Sequence, residues 1–198
     1  MDLQKHVPFK TLPVEILFNP PNPISQRIVI NRGSEEGLKL GNPIANDSGI
    51  LGQVVRIYDH SAEVSLLEDR DFAVPVQVAR NGLRAAVFGA GRGNPLELRY
   101  LPVASDLEVG DVLITSGIDG VYPPGFAVAV ISRIERNADK NSSNVFCVPV
   151  APVNRYRQAL ALLYDPQWDA KASTATSKPG TPLTNTPGRR QTRARGMQ

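Results

Sequence analysis

The segment Gly110-Asp111-Val112-Leu113-Ile114-Thr115-Ser116-Gly117 constrains the fold of this chain more than any other. Two residues later comes Gly120-Val121-Tyr122-Pro123-Pro124-Gly125. An apolar run of strand length is thus held between glycine turns and followed by an aromatic-Pro-Pro-Gly corner. A looser version lies upstream, from Gly37 to Gly52. Laid over each other, Gly41-Asn42-Pro43-Ile44 matches Gly110-Asp111-Val112-Leu113, and Ser48-Gly49 matches Ser116-Gly117. A Val/Ile-rich strand ending in Arg-Ile follows each, at Arg56-Ile57 and Arg133-Ile134. The same punctuated β pattern written twice predicts two small β-barrels or sandwiches, and a scaffold rather than a catalyst.

The rest of the chain extends this reading. About eleven short strands, with turns roughly every 8 to 12 residues, indicate an all-β fold. Gly33, Gly37 and Gly41 are spaced for successive tight turns with positive φ. Asn81-Gly82 is a hairpin signal. Phe72 to Val78 alternates cleanly, and Pro75 within it predicts a sheet edge or a bulge; Pro149 carries the same implication. Leu160, Leu162 and Tyr164 form one strand face, but Val153, Tyr156, Leu160 and Leu163 also form one helical face, and periodicity does not separate the two. The predicted organisation is an extended Pro-rich arm with a short strand over 1–23, a first barrel module over 24–78 and a second over 79–165. The first module can share strands with the arm and with 145–165. The Thr/Ser/Pro/Gly/Arg segment over 166–198 is predicted to be a disordered basic tail.

Charge excludes one class of function. From Asp169 onward there are six basic residues and one acid, whereas the rest of the chain has 16 basic and 18 acidic residues. The high pI therefore belongs to the tail, and a basic body that grips nucleic acid is not supported. The tail arginines, Arg189, Arg190, Arg193 and Arg195, could touch nucleic acid or an anionic glycan, but lack the aromatic residues that stack on bases. The lone Cys147 forms no intrachain disulfide and reads as a small buried apolar residue.

Catalytic constellations are weak. A serine hydrolase would need a His base and an Asp. Ser116 with His60 upstream, and Asp69, Asp71 and Asp106 between them, has an allowed chain order, but His60 lies in an Asp-His-Ser turn. His6 is in the proline arm. The Gly89–Gly93 run lacks the strand-then-helix context of a phosphate loop. Glu68-Asp69-Arg70-Asp71 reads as a solvated turn more readily than a cation site, and nothing else has metal-ligand spacing. The sequence therefore implies no catalytic residue, metal or cofactor. What remains is binding. The corner Tyr122, Pro123, Pro124 and Phe126, which also reads as a core corner closing a barrel, and the edge-strand residues Phe72, Val74 and Val76 are the candidate partner contacts. Gly33, Gly37, Gly41, Gly49, Gly52, Gly110, Asp111, Gly117 and Gly125 are assigned to structural turns.

These landmarks together resemble one family. Ile30-Asn31-Arg32-Gly33-Ser34 with Gly37 and Gly41, then Gly49-Ile50-Leu51-Gly52-Gln53-Val54 and Val74-Pro75-Val76, fit the rod shape-determining protein MreC family. Gly110-Asp111 through Thr115-Ser116-Gly117 to Pro123-Pro124-Gly125 is the most specific part, and Pro149-Val150-Ala151-Pro152 and Ala159–Tyr164 also fit. The likeness runs from about Val14 to Tyr164. It implies two β-barrel domains, the second chymotrypsin-like without a working triad, with Ala159–Tyr164 as a closing strand. It implies a periplasmic location on the bacterial inner membrane, and self-association into dimers or filaments. The implied partners are MreD, the actin-like MreB system and a class B penicillin-binding transpeptidase that the protein holds and activates during wall elongation. The family's membrane-spanning helix and heptad coiled coil are not in these 198 residues, so anchoring is expected from sequence upstream of Met1.

Overall fold

The computed structural model describes residues 9–18, 25–101, 105–137, 142–151 and 157–164. The predicted proline arm before Phe9, the Pro20–Pro23 break, His6 and the basic tail lie outside them.

Twelve strands account for the described architecture. They are β1 (Lys10–Phe18), β2 (Arg27–Ile30), β3 (Pro43–Asn46), β4 (Gly49–Ile57), β5 (Ala62–Leu66), β6 (Ala73–Val78), β7 (Arg84–Phe88), β8 (Leu96–Arg99), β9 (Val112–Thr115), β10 (Ala127–Asn137), β11 (Ser142–Pro149) and β12 (Gln158–Leu163). They form two closed barrels, β1-β12-β3-β4-β5-β2 and β10-β11-β8-β7-β6-β9. Closure pairs every strand on both sides and leaves no sheet edge.

This corrects two expectations. Strand β6 belongs to the second barrel, so the boundary falls in residues 67–72 and not after Val78. Pro75 marks no edge, because β6 pairs with β7 at Pro75↔Ala86 and with β9 at Val76↔Thr115. Proline removes a donor but keeps its carbonyl, and Ser116 N–H donates to that carbonyl at 3.1 Å. Pro149 is likewise paired, with Ala129.

The repeat read in the sequence is structural. Each barrel can be traced as the same ring, β1-β2-β5-β4-β3 in one and β7-β8-β11-β10-β9 in the other. Strand β4 carries an extra residue against β3 at Leu51 and against β5 at Val55. Strand β10 carries its extra residues at Val128 and Ser132. These are corresponding positions, and each bulge re-aims the side chains that follow. The Gly-Asx turns match bond for bond. Gly41 N–H donates to Val54 C=O as Gly110 N–H donates to Ile131 C=O, and Val54 and Ile131 return the bond to Asn42 and Asp111. The Asn42 and Asp111 side chains accept from Lys39 N–H and Glu108 N–H.

The sixth slot of the ring is filled differently. In the second barrel it holds β6, the strand just before β7; in the first it holds β12. Strand β12 is buried on both faces from Ala159 to Leu162. Ala159 and Ala161 fill the first barrel, while Leu160 and Leu162 join the second barrel's core cluster together with Ala45 and Ile50. One strand thus closes a barrel with alanines and builds the seam between barrels with leucines. Its burial on both sides explains why its apolar run has no clear period.

Residues 67–72 are clamped beside this seam. Asp69, 3% exposed, accepts from Gln26 N–H at 2.8 Å, Ser25 O–H at 3.2 Å and Asp71 N–H at 3.0 Å. Gly33 and Gly52 lack the positive φ of Gly37, Gly41, Gly110, Gly117 and Gly125. They are glycines for close approach: a Cβ would lie 2.1 Å from Tyr58 O and 2.0 Å from Ser65 O.

Candidate functional site

The Thr115–Phe126 segment is organised by a residue whose role the sequence did not disclose. Thr115 is fully buried. Its hydroxyl donates to Pro123 C=O and accepts from Phe126 N–H at 2.9 Å. Its main chain exchanges bonds with Phe126 and Gly125. The Asp119 carboxylate caps the loop by accepting from Val121 N–H and Tyr122 N–H. The Tyr-Pro-Pro-Gly corner is therefore locked onto the end of β9.

A second clamp fixes the Gly110-Asp111 turn. Arg80 Nε and Nη2 bind the two Asp111 carboxylate oxygens at 2.8 and 3.0 Å, and Nη1 reaches Asp106 at 2.8 Å. Asn81 Nδ2 donates to Asp106 C=O at 2.7 Å. The Arg80 hydrogen bonds, with the Glu108 amide in support, hold the Asp111 carboxyl below its ordinary range. The hairpin signal Asn81-Gly82 thus also anchors a neighbouring turn.

The candidate contact residues are mostly interior. Tyr122 is 2% exposed, Phe72 5%, and Val74 and Val76 fully buried; Pro123 is buried as well. As exposed partner contacts, Tyr122, Pro123, Phe72, Val74 and Val76 are therefore corrected. Alternation along β6 sends Val74, Val76 and Val78 into the barrel, and the Thr115 lock turns the Tyr122 ring inward. Burial raises the Tyr122 phenol above its ordinary range, and its hydroxyl has no hydrogen-bond partner. Phe126 is half-buried, 6.3 Å from Phe9, whose ring meets Tyr164 edge-on. Of the corner only Pro124 and Gly125 are exposed, with Ile118 nearby in the chain at 65%.

The surface shows what the sequence reading missed. Val112, Val130 and Val148 stand in register across β9, β10 and β11. Val112 and Val148 are exposed and Val130 half-buried, so three valines line an outer barrel wall. The available signal was apolar residues at consecutive positions, as in Val112-Leu113-Ile114 and Ala129-Val130-Ile131, where a wall facing water alternates.

No catalytic constellation assembles among the described residues. His60, in the β4–β5 turn of the first barrel, faces Glu36 at 3.6 Å and Glu35 at 3.8 Å. Ser116, beyond β9 of the second barrel, has a buried hydroxyl without a hydrogen-bond partner. No group of three or more His, Cys, Asp or Glu is placed to hold a metal ion there. The acidic run is explained by Asp69, whose oxygens are occupied by the chain itself. The Gly89–Gly93 run joins β7 to β8 and packs on residues 68–70. Cys147 is buried, and burial pushes its thiol up to about 12, far from the thiolate range of reactive cysteines. No described helix is long and apolar enough to cross a membrane.

Comparison with known proteins fits this architecture. The family "Rod shape-determining protein MreC, barrel core" matches residues 16–162. The cell shape-determining protein MreC of Escherichia coli K12 is 38% identical over 141 residues, which cover 71% of this chain and 38% of the relative. The chain thus spans well under half the length of that protein. The crystal structure of MreC from Pseudomonas aeruginosa superposes with a TM-score of 0.74 at 39% identity, over 78% of this chain and 99% of that one. MreC from Helicobacter pylori, solved in a complex with Penicillin-Binding Protein (PBP2), shares the fold at a TM-score of 0.63 and 15% identity, over 78% of this chain and 98% of that one. Two closed barrels, a match spanning nearly every described strand and relatives of this identity place the chain in the MreC family of rod shape-determining proteins.

Proposed function

We propose that this chain is the wall-side barrel region of a bacterial cell-shape scaffold, standing at the periplasmic face of the inner membrane. It works by binding and not by bond-making. It holds and activates a class B penicillin-binding transpeptidase during peptidoglycan synthesis, assembles with itself, and connects to MreD and the MreB system. The observation that carries this reading is the H. pylori complex, in which a protein of this fold is bound to a penicillin-binding protein.

The architecture suits the task. A barrel with no open edge offers no strand for β-augmentation, so docking uses outer walls and loops. The clamps at Thr115 and Arg80 keep those loops in one shape, which lowers the ordering cost of association. Activation requires unequal affinity for two synthase states. Moving a synthase from about 1% to about 99% active needs roughly 10⁴-fold tighter binding to the active state.

The test uses the purified chain and the class B penicillin-binding protein of the same bacterium's elongation machinery. Saturable binding by calorimetry, with faster glycan polymerisation by the synthase complex on adding the chain, is expected. Absence of binding up to about 0.1 mM, a ΔG weaker than about −5.5 kcal/mol, would refute the reading.

A further inference from the structure

Charge is shared unevenly along this chain. From Asp169 onward there are six basic residues and one acid, and four of the six, Arg189, Arg190, Arg193 and Arg195, fall within residues 189–195. The rest of the chain has 16 basic and 18 acidic residues. Its arginines Arg27, Arg56, Arg80, Arg99 and Arg133 each face a carboxylate on the barrels. Charge asymmetry of this kind between parts of one chain points to an anionic surface as partner. A cluster of about four to eight Lys or Arg is the size that holds a segment on anionic lipid.

The basic segment lies outside the described residues, but the fold sets where the chain departs toward it. Lys10, at the start of β1, pairs with Leu163, at the end of β12, and the Phe9 and Tyr164 rings meet at 5.4 Å. The chain therefore leaves the first barrel at the rim where it enters, one strand spacing away, or about 5 Å. The same rim carries the turn leading into β3, because the β12–β3 register, Leu160↔Ala45 and Ala161↔Ile44, runs on toward Asn42. Lys10, Lys39 and Leu40 are exposed there. Glu35 and Asp59, in adjoining turns joined from Glu35 N–H to Asp59 C=O, offset the two lysines. The rim thus adds little attraction of its own, and the cations beyond Asp169 supply it.

We infer that residues 169–198 bind the headgroups of anionic phospholipid, a contact separate from any anchor upstream of Met1. The inference rests on the periplasmic inner-membrane location in the proposed function and states what the basic segment does there. The exit point selects lipid over wall glycan: a segment that leaves beside the incoming chain starts on the membrane side of the barrel. Nucleic acid is disfavoured, because residues 169–198 hold no aromatic side chain to stack on bases. Trp168, the single tryptophan of the chain, directly precedes the segment, and tryptophan settles at the headgroup level of a bilayer. The acidic excess of the remaining chain is repelled by the same surface, which holds the barrels off the lipid and leaves their walls open to protein partners.

Co-sedimentation of the full chain with lipid vesicles is the test, with Trp168 fluorescence as a second readout. Binding is expected to mixed phosphatidylglycerol and phosphatidylcholine vesicles and not to phosphatidylcholine alone. It should weaken as salt is raised, and Trp168 emission should shift to the blue on binding. Deletion of residues 169–198 is expected to abolish the partition. Changing Arg189, Arg190, Arg193 and Arg195 together to Gln is expected to weaken it about fivefold per arginine, or several hundredfold, with the circular dichroism spectrum of wild type. No binding, equal binding to phosphatidylcholine, or binding that survives the deletion would each overturn the inference. Basic-segment binding to insoluble peptidoglycan in place of vesicles would assign it to the wall and overturn the inference as well. The synthase assay contains no lipid bilayer, so loss of vesicle binding with synthase binding kept refutes this inference alone, and the reverse outcome refutes the synthase reading alone.

Discussion

Gly49 of the first barrel lies against the Ala127 backbone of the second, and Gly49→Ala tests whether that seam is rigid. A Cβ on Gly49 would lie 2.2 Å from Ala127 O, 2.9 Å from Ala127 C and 2.9 Å from Val150 Cγ2. Two of these atoms are backbone, so no side-chain rotation relieves the clash. The barrels must separate by about 1 Å, which forfeits a quarter to a half of each dispersion contact across the gap. Overpacking of this kind costs about 1–3 kcal/mol. Gly49 also has φ +153°, a region nearly reserved for glycine and worth a further 1–3 kcal/mol or so. Taken at mid-range, the two costs sum to about 4 kcal/mol. Gly37→Ala is the control, since its φ is +85° but nothing lies within 4 Å of the added carbon; it should lose only about 1–2 kcal/mol. Urea unfolding followed by far-ultraviolet circular dichroism reads the difference. With a slope near 2 kcal/mol/M, Gly49→Ala should unfold about 1–1.5 M below Gly37→Ala. Coincident midpoints would show that the seam yields freely and would refute the reasoning.

Two further predictions concern the clamps. Tyr122→Phe removes a buried hydroxyl with no partner, so it should leave stability unchanged or raise it by up to about 1–2 kcal/mol; a loss above 1 kcal/mol or so in the same urea assay would contradict this. The Asp111 carboxyl is held below its ordinary value of 3.8 chiefly by the Arg80 hydrogen bonds. A lowered folded-state pKa stabilises above the unfolded value and is lost as pH falls through the folded one. Asp111→Asn should therefore be less stable than wild type at pH 6, with the gap in melting temperature narrowing as the pH is taken below 3.8; a gap independent of pH would contradict it.

How much of this was legible follows from what leaves a mark on composition. Glycine turns and short apolar runs disclosed an all-β chain and its duplication, because φ > 0 and strand alternation restrict residue types directly. The barrel boundary was illegible because the Phe72–Val78 alternation is the same whichever barrel receives the strand. Ala159–Leu163 was ambiguous because both its faces are covered, which erases the period. Tyr-Pro-Pro-Gly reads either as an exposed rigid turn or as a core corner closing a barrel, and only the Thr115 bonds to Pro123 and Phe126 turn it inward. Arg80 and Asp111 are 31 residues apart, and no local pattern announces a pair at that distance.

Strand β12 sets an order of events. A polypeptide threaded from its N-terminus exposes five strands of the first barrel as an unclosed sheet while about ninety more residues arrive. The second barrel has its whole ring once Pro149 has emerged, and so is complete before the half of the molecule encoded earlier. Loop-closure entropy rises only slowly with length, so the delay burdens timing more than final stability. During that interval the nascent N-terminal half is the part that a chaperone must shield, and the part that a protease would reach first.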